Sequence, residues 1–131
     1  MNWQTWIVQG DQYLKSATPK EGKKSVFGPD IRYNLLSMSL EAYIMAILDV
    51  HRNLPENHTY TDLMSALETV IEIDENLKNR ILKYENIQSI CSIDKYSITT
   101  PTNEELDDLH GAIVEISRIA HEVVSENRNL N

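Results

Sequence analysis

The sequence predicts an all-α protein, an antiparallel up-and-down bundle of four to five helices. Three observations predict it. Apolar residues recur at helical spacing in almost every segment. Glycine and proline number only four each, too few for an all-β chain with a turn every ten residues or so. The last third of the chain places Leu106, Leu109, Ile113, Ile116, Ala120 and Val123 at alternating steps of three and four, the seam of a helix packed in a bundle.

The elements follow in order. Trp3, Trp6, Ile7, Tyr13, Leu14 and Ala17 form one stripe of a first amphipathic helix spanning Trp3 to Ala17. Residues 18–29 hold two prolines, two glycines and three lysines, and read as an exposed loop. Asp30 is the expected cap of a second helix running to about His51. From Leu35 to Val50 apolar residues occupy nearly every face, which marks a helix surrounded by others. At ~1.5 Å per residue this helix is ~33 Å long, enough to span a small bundle. Pro55 disfavours helical geometry at Leu54, so residues 52–58 form a turn. Thr59 and Asp62 then approximate a capping box for a third helix carrying Leu63, Ala66, Leu67, Val70 and Ile71. Asp74 is placed to cap a fourth, with Leu77, Ile81, Tyr84, Ile87 and Cys91; the two are also compatible with one bent helix. Residues 92–100 read as irregular. Thr102-Asn103-Glu104-Glu105 is a full capping box for the last helix.

The chain has 131 residues, room for one domain spanning 1–131 and no internal repeat. A net charge of −8 argues against a protein that coats nucleic acid by charge alone. Charge is uneven, however. Lys15, Lys20, Lys23, Lys24 and Arg32 against Glu21 and Asp30 give residues 15–32 a net charge of +3. Such a tract is either a solvated lysine loop or a seat for phosphate or an RNA backbone. The first residues lack a basic region followed by an apolar one, and no stretch is long and apolar enough for a membrane span. A cytoplasmic location is therefore expected.

The order of features resembles the HEPN family (higher eukaryotes and prokaryotes nucleotide-binding). Leu40-Glu41-Ala42-Tyr43-Ile44-Met45-Ala46-Ile47-Leu48 resembles that family's glutamate-centred second helix. His58-Thr59-Tyr60-Thr61-Asp62-Leu63 resembles its His-Asp-Leu helix entry, Tyr96 falls near its loop tyrosine, and the helix from Glu104 to Val124 corresponds to its last. Two positions depart from the family pattern. Met45 stands where many relatives have lysine, and three residues separate His58 from Asp62 where the family more often has the pair adjacent. The resemblance implies a homodimer, a non-catalytic binding module, and a partner of the nucleotidyltransferase, toxin–antitoxin or defence type, with nucleotide or RNA as a further ligand class.

Within that frame Glu41 is the most informative charge. A carboxylate among Leu40, Tyr43, Ile44 and Met45 must be paired, protonated, or directed into a groove or interface. Alternatively Asn34, Ser37 and Glu41, spaced three and four, form a narrow polar line on the helix. Ser37, Glu41 and Tyr96 are the candidate binding groove. The catalytic alternative is an HEPN-type metal-independent ribonuclease. Its motif pairs an arginine that neutralises phosphate with a histidine that moves the proton of a ribose 2′-hydroxyl. Arg52-Asn53 followed by His58 fits that pattern, although it lies in the turn after the second helix rather than near the start of the last. A third reading is a plain oligomerisation bundle. Trp3 and Trp6 read as core or interface anchors. No cofactor or metal is expected. His110 and His121 share a face but lie ~16 Å apart along the axis, and no Glu-x-x-His motif occurs. Cys91 has no Lys, Arg or His within three residues to activate it.

Overall fold

The computed structural model describes residues 2–20, 28–55, 57–85 and 101–129. Cys91, Tyr96 and the expected irregular segment 92–100 lie outside them. The described residues form an all-α bundle of five helices with no strand: α1 (Trp3–Ala17), α2 (Pro29–Val50), α3 (Tyr60–Glu68), α4 (Glu75–Leu82) and α5 (Asn103–Asn129).

Helix α2 is the hub, packing on α1, α3 and α5, while α4 bridges α5 and α3. Side-chain pairings fix the directions. Ala17 meets Arg32 and Gly10 meets Ser39, so α1 and α2 are antiparallel. Thr18 meets His110 and Asp11 meets His121, so α1 and α5 are antiparallel too.

The seven consecutive residues Ala42–Leu48 are all buried, as expected of a helix enclosed on every side. Each Ile or Leu so placed contributes about 1.5–3 kcal/mol relative to exposure. The enclosure expected from residue 35 onward is narrower in fact. Between 31 and 41 one line of α2 stays open, with Ile31 51% and Met38 43% exposed and Asn34 at the surface between them. The seam of α5 is buried at Leu106, Leu109, Ile113, Ile116 and Ala120, joined by Ala112 and Val124, and Val123 packs half-buried against the same core.

The helix ends mostly follow local chemistry. Thr102 Oγ1 accepts from Glu105 N at 3.1 Å and Glu105 Oε1 accepts from Thr102 N at 3.0 Å, a reciprocal capping box for α5. Thr59 Oγ1 accepts from Asp62 N at 3.2 Å and caps α3. The cap of α2 is Gly28 rather than Asp30. Pro29 takes the first helical position, where its fixed φ and missing N–H are no handicap, and pushes Asp30 into the first turn. Helices α3 and α4 are separate, divided by residues 69–74.

Candidate functional site

The polar line on α2 opens into a cleft of about 290 Å³ lined by Asn34, Ser37, Met38, Glu41, His58, Tyr60 and Leu63. Three elements build it. The 3.6-residue period sets Asn34, Ser37, Met38 and Glu41 along one edge of α2. The Thr59 cap starts α3 and fixes His58 just ahead of it. Tyr60, the first residue of α3, is buried against α2, with its hydroxyl and Ser37 Oγ 2.5 Å apart.

Glu41 resolves as a paired carboxylate: its Oε1 lies 2.5 Å from His58 Nδ1. An ionised carboxylate can only accept, so His58 Nδ1 carries the proton of this bond. The two side chains are 34% and 46% exposed, so water screens the pair and its contribution to stability is small. Burial, with Tyr33 beside it, pushes the Tyr60 hydroxyl well above the ordinary tyrosine range, so it remains a proton donor.

Ser37, Glu41 and His58 therefore share one cleft. Arg52 and Asn53 do not join them. The Asn53 amide donates to Thr69 Oγ1 at 2.8 Å, at the far end of α3. Arg52 is exposed with φ 55°, a left-handed conformation that costs a non-glycine residue about 1 kcal/mol. Among the described residues no hydrogen bond or ion pair links either to His58. Tyr96 lies outside the described residues.

A second constellation sits across α2, and no local spacing marks it. Asp11 Oδ1 accepts from the Tyr43 hydroxyl at 2.5 Å and lies 2.9 Å from His121 Nε2. The Tyr43 and His121 rings meet tilted at 59°, with centroids 6.2 Å apart. Burial, reinforced by the hydrogen bond to Asp11, pushes the Tyr43 hydroxyl upward. Asp11 and His121 are 110 residues apart, so only the packed α1, α2 and α5 bring them together. Nearby, Arg32 is almost fully buried. Its Nε donates to Ala17 O at 3.1 Å and its Nη2 to Asp107 Oδ1 at 3.0 Å. The cation thus answers an open carbonyl at the C-terminal end of α1.

Among the described residues no group of three or more His, Cys, Asp or Glu is placed to hold a metal ion, and no helix is long and apolar enough to cross a membrane. No family model, curated protein or solved structure matches this chain.

Proposed function

We propose that this chain is a non-catalytic, HEPN-like binding module of the cytoplasm, dimeric, that docks a protein partner of the nucleotidyltransferase or toxin–antitoxin type in the cleft between α2 and α3. One observation carries the reading. Beside the enclosed stretch 42–48 of α2, Ser37, Met38 and Glu41 reach solvent and face His58 and Tyr60 across a formed cleft. The polar groups there are engaged with each other, Glu41 with His58 and Ser37 with Tyr60, which suits recognition better than bond-making. Met38 and Leu63 supply apolar contact beside the carboxylate, so the cleft fits a partner side chain with an apolar stem and a hydrogen-bond donor at its tip.

Light scattering coupled to size exclusion, with and without a co-expressed nucleotidyltransferase-type partner, tests this. A stable complex that Glu41→Arg and Met38→Glu abolish, with the helical circular dichroism retained, supports the module. A dimer that forms no complex leaves the plain oligomerisation bundle, and a monomer removes the dimer.

The ribonuclease reading using Arg52, Asn53 and His58 draws on one feature of its own. His58 is half-exposed and backed by a carboxylate, as a proton-transferring imidazole would be. RNA degradation by wild type and not by His58→Ala favours it. Equal activity in both, or none in either, removes it.

A further inference from the structure

We propose that the cavity beneath the C-terminal half of α1, on the opposite side of α2 from the cleft above, binds a small organic anion with an apolar body and a carboxylate or phosphate head. This proposal is independent of the reading of the α2–α3 cleft.

The cavity measures about 580 Å³, within the range of small-molecule sites, and is twice the size of the α2–α3 cleft. Its walls are mostly apolar, with Leu14, Pro19 and the ring of Tyr43 contributing. That composition selects a ligand with an apolar body. The charged residues of its lining are Lys15, Lys20 and Asp11, a local net charge of +1 in a chain of −8. Asp11 is already engaged by Tyr43 and His121. Among the described residues neither lysine has an ion-pair partner. The uncommitted charge is therefore positive, and it selects an anionic head. Ser117, beside the Tyr43 hydroxyl, adds a polar group that can orient the ligand.

The site is also held in shape before any ligand arrives. The Thr18 hydroxyl donates to Leu14 O at 2.7 Å and meets His110 Nε2 at 2.8 Å. Arg32 ties Ala17 to Asp107. The end of α1 that walls the cavity is thus fixed to α2 and α5, so little ordering cost falls on binding.

Amide NMR titration of the full chain tests the proposal with three probes of one shape: 1-naphthoate, 1-naphthyl phosphate and the neutral 1-naphthalenemethanol. Saturable shifts confined to residues 11–20, 43 and 117 are expected with an anion. The alcohol should bind about five- to tenfold more weakly, the effect of losing one or two exposed charge contacts. Whichever anion binds more tightly assigns the head group. Lys15→Gln with Lys20→Gln should bring that anion level with the alcohol. Because both lysines are exposed, this variant keeps the fold. Scattered shifts, shifts centred on the α2–α3 cleft, or equal affinity for anion and alcohol in wild type would overturn the proposal.

Discussion

Gly10 is buried where α1 crosses α2, and its carbonyl accepts from Ser39 Oγ at 2.9 Å. A Cβ there would lie 2.7 Å from Cε1 of Tyr43, whose ring is itself held by the hydroxyl bond to Asp11. Gly10→Ala should therefore cost about 1–3 kcal/mol through overpacking, despite the better helix propensity of alanine. Urea denaturation measures it, and Val8→Ala, at an exposed site on the same helix, should be near neutral. At His110 burial first, and then the nearby Arg32, hold the imidazole below its ordinary 6.5, while Asp107 acts in the opposite sense. The native state thus favours the neutral ring, and the unfolded chain takes up more protons. Stability contributed by this group is complete above the unfolded value and declines as pH falls through it. Between about pH 7 and 5 the urea midpoint of wild type should fall more steeply than that of His110→Gln, which can still donate to Thr18. Parallel slopes would show that His110 is not the group responsible. At this scale the sequence was a partial guide. Glu41 announced itself as a carboxylate in need of a partner, whereas nothing local marks Gly10 as a crossing point or Asp11 as the partner of His121.

Helix ends show which signals are local and which are not. The α5 capping box is legible because donor and acceptor lie three residues apart, and the structure contains both of its bonds. Thr102→Ala and Glu105→Ala should each cost about 1 kcal/mol or less, and the double variant less than their sum, since both break one reciprocal motif. Additive losses in thermal or urea unfolding would mean that the two bonds act separately. Helix α3 carries a contrasting device. Besides Thr59, its first turn is met by the Glu85 carboxylate, which accepts from Thr61 N at 3.1 Å and from the Thr61 hydroxyl. No spacing rule reaches a cap supplied by a residue 24 positions away. Helix α4 is short and fastened by Arg80, which donates to Asp108 Oδ1 at 3.1 Å, while Tyr84 donates to the other oxygen at 2.5 Å. The Tyr84 bond, aided by Arg80, holds the Asp108 carboxyl below the usual range.

For the molecule as a whole, apolar periodicity was sufficient to identify the class, because helices packed around α2 need only the 3.6-residue repeat. The meeting of residues from α1, α2 and α5 was not legible, since it depends on how three rods are turned against one another. Protection should be graded accordingly. In hydrogen exchange the amides of 42–48 should open only with global unfolding, and those of α4, which among the described residues packs chiefly on α3 and α5, should exchange earlier. Faster exchange in 42–48 than in α4 would contradict the hub arrangement.

Glu41 and Tyr43 sit two residues apart on α2, about 200° around its axis. The cleft and the cavity are therefore two ports on opposite sides of one rod. Guests at the two ports cannot touch, so both can be occupied at once. Any influence of one on the other must be transmitted by a shift of α2 itself, and thermodynamic linkage would make it equal in both directions.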